Sequence, residues 1–177
     1  MTDVDEAVSR IRNIIESETT AYFSDVELKE FIKMGVDEFI QQYYMAFETT
    51  QDARDKLSDL VISKEQALQD SAPVLLDTLD GEHTYGRFLS AYVKSTPNVN
   101  LKVIQISDIS AYLNDPFNKA DSSNPVIYFK EKKINTLGLS TATTCVVTYL
   151  QYTTSLLKLN VSTHEEVCQI ASRKVLA

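Results

Sequence analysis

The hydrophobic period of this chain changes along its length, and the change limits the folds that the chain can adopt. Up to about Phe47 the apolar residues recur at spacings of three and four, which is the repeat of an amphipathic α-helix. From Pro73 onward the apolar runs are short, rich in β-branched and aromatic residues, and separated by turn formers, as in β-strands. A helical repeat returns near the C-terminal end. Helices, then strands, then a helix predict an α+β fold with a mostly antiparallel sheet.

The N-terminal part is predicted to form a helical hairpin or bundle. The first helix is marked by one apolar stripe, which consists of Val4, Val8, Ile11 and Ile15. The second is predicted to run from Asp25 to about Phe47, because Ser24 and Glu27 match a capping box, in which two residues satisfy each other's backbone amides. Gly35 lies on the apolar stripe of this helix, where a missing side chain allows another helix to approach closely.

The chain is predicted to be a single domain with three sections. Residues 1–72 are expected to be mainly helical, residues 73–160 mainly β, and residues 161–177 a short C-terminal helix. The strands predicted in the middle section are Val74–Asp77, Tyr85–Lys94, Asn100–Ser107, Val126–Lys130, Lys133–Leu137 and Thr143–Leu150.

Other helix signals are shorter. Gln51–Asp59 is polar and is predicted to be helical. Ser63–Gln66 matches a capping box and predicts another helix start. Ser162–Glu165 matches the same pattern and is predicted to begin the C-terminal helix.

The formal net charge of the chain is −8. A protein that grips nucleic acid by its phosphates needs clustered Lys and Arg. The basic cluster of this chain is Lys130, Lys132 and Lys133, with Glu131 among them. It allows two interpretations, a solvated hairpin tip or a contact to DNA phosphates. The acidic balance favours the hairpin tip, so DNA binding is not expected as the main function.

The sequence carries no pattern of a known catalytic, cofactor or metal site. It lacks the glycine-rich phosphate-binding motifs and has no pair of His or Cys residues at metal-binding spacing. Cys145 and Cys168 lie among apolar residues and are expected to be reduced and buried. A Cys145 nucleophile with His83 or His164 as its base is an alternative, but no flanking residue predicts an activated thiolate. We expect no enzyme activity, no cofactor and no metal.

Three aromatic residues are candidates for a protein interface. Tyr43 and Tyr44 are adjacent in the second predicted helix, so they cannot both face its buried side, and aromatic residues are enriched in interfaces. Core packing is the competing interpretation of this aromatic concentration. Phe117 is the large apolar residue of Asn114–Pro125, an irregular segment with two prolines and many turn formers. Such long connections are usually functional, which predicts an assembly loop.

Several stretches, in this order along the chain, resemble the head-to-tail connector (adaptor or ring) proteins of tailed bacteriophages, of the crAss-like or short-tailed type. They form three groups. The first group is the start of the second helix, the second is a loop and the strand that follows it, and the third is an apolar strand and the C-terminal helix. These stretches are Phe23–Leu28, then Leu113–Lys119 and Asn124–Phe129, then Cys145–Leu150, Val161–Val167 and Ile170–Leu176. Leu76–Asp80 departs from the family's pattern, because it lacks the Pro and Tyr found there.

The resemblance implies a structural virion protein without catalysis. Copies of the chain would form a homododecameric ring at the head-tail junction, with the portal protein above and other ring or tail proteins below. DNA would pass through the lumen during ejection without specific binding. Such a subunit would be made in the cytoplasm of the bacterial host.

Two other classes of function remain open from the sequence. A cytoplasmic, non-catalytic protein-interaction module would be a stable monomer or small dimer without a portal-sized partner. An enzyme with an unrecognised site would need a pocket with convergent titratable groups. The N-terminal stretch begins with acidic residues, which predicts no secretory signal. No apolar run has the length of a membrane helix, so no membrane contact is expected.

Overall fold

The computed structural model describes residues 3–18, 23–76, 85–117, 119–152 and 161–176 of the chain. The chain divides into two compact units, one of residues 1–60 with 153–177 and the other Val61–Tyr152. The first is helical and the second carries two β-sheets, which confirms the α+β class. That the two units act as one domain stays a prediction.

The elements follow the chain in the predicted order of helices, strands and a last helix. They are α1 (Asp3–Glu18), α2 (Asp25–Tyr44), α3 (Gln51–Leu57), a 3-10 turn (Ser58–Leu60), β1 (Val61–Leu68), β2 (Val74–Leu75), β3 (Tyr85–Val93), β4 (Val99–Asn100), β5 (Lys102–Val103), a second 3-10 turn (Ile106–Asp108), α4 (Ile109–Asn114), β6 (Val126–Lys130), β7 (Lys133–Leu137), β8 (Thr143–Gln151) and α5 (Val161–Leu176).

The helical unit packs α1, α2 and α5 against one another. The predicted apolar stripe of α1 is buried at Val8, Ile11 and Ile15, while the side chain of Val4 lies outside the described residues. The capping box of α2 is confirmed. The amide of Ser24 donates to a carboxylate oxygen of Glu27 at 2.9 Å, and the Ser24 hydroxyl oxygen accepts from the Glu27 amide.

Helix α5 packs closely against α2 at Gly35. A β-carbon at Gly35 would lie 3.0 Å from the carbonyl oxygen of Val167 and 3.1 Å from the β-carbon of Ala171. Such distances are shorter than ordinary van der Waals contact, so the missing side chain sets how closely the helices pack. The predicted close approach at Gly35 is therefore confirmed.

We predict that Gly35→Leu lowers the free energy of unfolding by roughly 2 kcal/mol, because overpacking against α5 outweighs the helix propensity gained by removing a glycine. Met34→Leu, on the exposed side of the same helix, is the control and should change stability by less than about 0.5 kcal/mol. Denaturant unfolding of both variants measures the difference. Equal stability of the Gly35 variant and the parent would show that α2 and α5 do not pack tightly here.

The β unit contains two four-stranded sheets, with the strand orders β1-β8-β3-β4 and β2-β7-β6-β5. The neighbouring strands are antiparallel except β5 and β6, which are parallel. Central strand β8 supplies Cys145, Val147 and Tyr149 to the buried core. Because side chains alternate along a strand, these three residues share one face of the first sheet. The prediction of a mostly antiparallel β region is confirmed.

The predicted strand Asn100–Ser107 is wrong as a single element. The chain leaves the first sheet after Asn100 and enters the second at Lys102. Between them the Leu101 amide donates to the Ala91 carbonyl at 2.9 Å, and the Lys102 amide donates to the Pro125 carbonyl at 3.2 Å. A segment that changes partners in this way forms two short strands, because neither sheet can pair with all of it.

Residues 61–68 form strand β1, which corrects the predicted capping box at Ser63–Gln66 and the helical assignment of residues up to 72. All eight residues of β1 pair with β8. Burial alternates along most of the strand, with Ser63 and Glu65 exposed and Lys64 and Gln66 half-buried. Pairing with a buried strand here overrides the helical preference of Lys, Glu and Gln.

The remaining differences are at the ends of elements. Helix α2 ends at Tyr44, followed by turns, rather than at Phe47. Strand β2 is limited to Val74–Leu75. Helix α5 begins at Val161, so Ser162 lies inside its first turn and is not the cap residue. The predicted strands Val126–Lys130 and Lys133–Leu137 are confirmed.

Candidate functional site

Tyr43 belongs to a cluster of polar side chains inside the helical unit. Its hydroxyl donates to Glu166 Oε1 on α5 at 2.6 Å and accepts from Lys56 Nζ on α3 at 2.5 Å. Lys56 also contacts Glu166 Oε2 at 2.7 Å, and its ammonium lies 4.3 Å from the centre of the Tyr43 ring. The ring of Tyr43 packs on buried Phe39, with ring centres 4.8 Å apart. The cluster thus connects α2, α3 and α5.

Each group in this cluster keeps its ordinary protonation state at neutral pH. Burial, followed by the hydrogen bond to Glu166, raises the pKa of Tyr43, so the phenol stays protonated. The hydrogen bonds to Glu166 and Tyr43 raise the pKa of Lys56. Burial alone would raise the pKa of Glu166, but the hydrogen bonds from Lys56 and Tyr43 lower it. These directions are those of a structural link between helices, and they oppose the activation of Tyr43 as a base.

We predict that Glu166→Gln lowers the free energy of unfolding at pH 7 by about 1 to 2 kcal/mol. The folded-state pKa of Glu166 is lowered from its ordinary value of 4.5, so the carboxylate stabilises the fold above that pH and loses this effect as pH falls through the folded-state pKa. The difference between parent and variant should therefore disappear in acid. Glu165→Gln, at the exposed neighbouring position, is the control, and urea unfolding between pH 7 and pH 3 measures both. A difference that does not depend on pH would contradict this assignment.

The structure places the two tyrosine candidates differently. Tyr43 is half-buried and bonded within its own unit, as the core-packing interpretation expects, and Tyr44 is also half-buried. A role for either residue in an interface stays a prediction. The partners Lys56 and Glu166 were not identified from the sequence, because they are far from Tyr43 along the chain and no local motif connects them.

Phe117 is the most exposed of the candidate residues. Its side chain is 92% exposed, directly after α4 in the β unit. Ile106 and Leu113, in the same stretch of chain, are 52% and 48% exposed. None of the six residues of α4 is buried. A short helix without buried residues is stabilised little by packing against its own chain. Large apolar side chains that are exposed are candidates for an interaction site.

The second half of the predicted loop folds on its own chain. Asp121 accepts hydrogen bonds from the amides of Ser123 and Asn124, at 2.8 and 2.9 Å, and from the Ser123 hydroxyl at 2.7 Å. A β-carbon at Gly138 would lie 2.5 Å from the backbone oxygen of Asp121, so this half of the loop rests on the β7–β8 connection. Asn118 lies outside the described residues. In the described part of this loop, Phe117 is the large apolar residue whose side chain is exposed.

The hairpin tip, Lys130–Lys133, closes β6 and β7 with a two-residue turn. Glu131 and Lys132 both have positive φ angles, of 54° and 58°, which is the backbone of a type I′ turn. The amide of Leu76 donates to the Lys132 carbonyl at 3.0 Å and holds the turn in place. The interpretation of the basic cluster as a hairpin tip is confirmed.

The cysteines are unpaired and buried, as predicted. Burial raises the pKa of the Cys145 thiol to about 11, which keeps it protonated at neutral pH. His83 lies outside the described residues. The described residues hold no group of three or more His, Cys, Asp and Glu side chains that could bind a metal ion. In the same part of the chain, no helix has both the length and the apolar character needed to span a bilayer.

Comparison with protein-family models gives no match for this chain, and neither does comparison with curated proteins.

Proposed function

We propose that this chain is a subunit of the connector ring that joins the portal to the tail of a tailed bacteriophage. The observation that carries the proposal is the order and spacing of the stretches that resemble such proteins, from Phe23–Leu28 to Ile170–Leu176. In this proposal copies of the chain form a homododecameric ring in the virion. The portal protein lies above it, other ring or tail proteins lie below it, and DNA passes through its lumen.

A role in assembly is supported by the exposed apolar side chains of the β unit. Phe117 stands almost fully exposed beside α4, a helix without a buried residue, and Leu113 is half-exposed on α4 itself. A large aromatic residue at such a position is the kind of anchor that contributes most of the energy of an interface. The loop from Asn114 to Pro125 would then contact a neighbouring subunit or the portal through Phe117.

A non-catalytic role is part of the same proposal. The titratable cluster of Tyr43, Lys56 and Glu166 has the protonation states of a structural link. The buried thiol of Cys145 has a raised pKa, which is the opposite of an activated nucleophile. These properties favour assembly over chemistry.

Co-expression with the portal protein encoded in the same genome tests the proposal. We expect the chain to co-purify with the portal, and native mass spectrometry should show as many copies of the chain as of the portal subunit. A cytoplasmic interaction module would instead remain a monomer or small dimer and would not bind the portal. That result, or a genome without a portal gene, would contradict the proposed function.

A further inference from the structure

Charge is distributed unevenly between the two parts of this sequence. Residues 1–60 and 153–177 together carry sixteen Asp and Glu against nine Lys and Arg, whereas residues 61–152 carry nine against eight. The nearly neutral part contains the hairpin tip, with three lysines among its four residues. Copies of this chain therefore present both a strongly acidic helical surface and a compact basic one.

The hairpin tip keeps its charged residues at a cost in stability. A type I′ turn favours Asn-Gly, because a residue with a β-carbon at positive φ costs about 1 to 2 kcal/mol. Here Glu131 and Lys132 occupy these two positions. Lys130 and Lys133 are direct partners across the hairpin, where like charges destabilise a strand pair. A turn with Asn-Gly at these two positions would make the hairpin more stable. Residues that are kept at a cost in local stability are typical of functional positions.

Helix α2 presents an acidic stripe on the side opposite its buried residues. We call it the outer stripe, and its members are Glu27, Glu30, Met34, Asp37 and Gln41, spaced alternately by three and four. All five are exposed, and exposed Lys33 lies at the edge of the stripe, between Glu30 and Asp37 in the sequence. Spacings of three and four place them along one face of the helix. The outer stripe thus combines carboxylates with one exposed apolar side chain, which suits a partner with several lysines.

We infer that the hairpin tip of one copy of this chain contacts the outer stripe of α2 on the next copy. The contact is heterologous, because two different surfaces meet, and such contacts generate closed rings when their rotation closes. That these contacts close into a ring rests on the proposed function. The inference adds which two surfaces of neighbouring copies contact each other. A second copy is favoured over a nucleic acid because the chain itself supplies the complementary acidic surface.

A charge-swap experiment with the purified full chain tests this contact. The tip variant carries Lys130→Glu, Lys132→Glu and Lys133→Glu, and the stripe variant carries Glu30→Lys and Asp37→Lys. We expect the parent to self-associate at low salt. Each variant alone should associate at least about tenfold more weakly than the parent, because like charges then meet. An equimolar mixture should recover the parent's association, since each altered surface finds its complement on the other variant. Sedimentation velocity across protein and salt concentrations measures all four samples.

A matched control separates the contact from a general change of charge. The control carries Arg87→Glu, Lys94→Glu and Lys102→Glu, which together change the net charge as the tip variant does. It should impair association less than the tip variant does. Thermal unfolding must show that every variant is folded.

Three results would overturn the inference: a parent that stays monomeric at every salt concentration, a mixture that does not recover association, or tight, salt-sensitive binding of the parent to a labelled DNA duplex that the tip variant loses. If the swap succeeds but the chain does not bind the portal, the proposed function fails and the contact stands. If portal rings form with the tip variant, the contact fails and the function stands.

Discussion

Replacing Gly138 with alanine is expected to lower the free energy of unfolding by roughly 3 kcal/mol. Gly138 has a φ of +97°, a conformation that strains residues with a β-carbon. The added carbon would also lie 2.5 Å from the backbone oxygen of Asp121, far inside van der Waals contact. Either the loop around Asp121 or the β7–β8 connection has to move, and the connection contains Leu139 of the buried core.

Denaturant unfolding of the Gly138 variant measures this loss. Ser140→Ala is the matched control, since Ser140 is exposed in the same connection and its carbonyl oxygen, which accepts from Gln69 Nε2, is kept. We expect the control to lie within about 0.5 kcal/mol of the parent. A Gly138 variant as stable as the control would mean that the connection tolerates a side chain, and the close contact with Asp121 would be wrong.

Phe117→Ala is expected to weaken assembly with the portal by about thirtyfold, which corresponds to roughly 2 kcal/mol for an aromatic anchor residue. The free energy of unfolding should change by less than about 0.5 kcal/mol, because the Phe117 side chain is almost fully exposed in the isolated subunit. A large effect on binding with little effect on stability distinguishes an interface residue from a core residue.

Met45→Ala provides the comparison for Phe117. Met45 is also a strongly exposed apolar residue, but it follows α2 in the helical unit. Its replacement removes exposed apolar area without touching the loop, so binding to the portal should be unchanged. Titration of labelled chain with portal rings measures both variants. Parent-like binding by the Phe117 variant would remove the loop from the interface.

The features that the sequence predicted well are those determined by neighbouring residues. The capping box of α2 depends on two residues three positions apart, and it is present as expected. The hairpin between β6 and β7 follows from two short strands with a charged pair between them. Gly35 could be assigned to a helix contact because its place on the apolar stripe of α2 is a local property. In these cases local preference and the final fold agree.

The features that the sequence missed depend on distant partners. Strand β1 has the polar composition of a helix start, and only its pairing with β8, about eighty residues later in the chain, makes it a strand. The division of residues 99–103 between two sheets likewise depends on pairing with distant segments. For the candidate site, the sequence indicated Tyr43 and Phe117 by residue type. It did not indicate that Lys56 and Glu166 bind the Tyr43 hydroxyl, because contacts between helices leave no local pattern.

The location of the chain in a virion tests the proposed function most directly. Phage particles from the genome that encodes the chain would be purified and labelled with an antibody against it, with an antibody against the capsid protein as a positional control. We expect gold label at the junction between head and tail, and peptides of the chain in the purified particles. Label elsewhere on the particle, or purified particles without the chain, would contradict its assignment as a connector subunit.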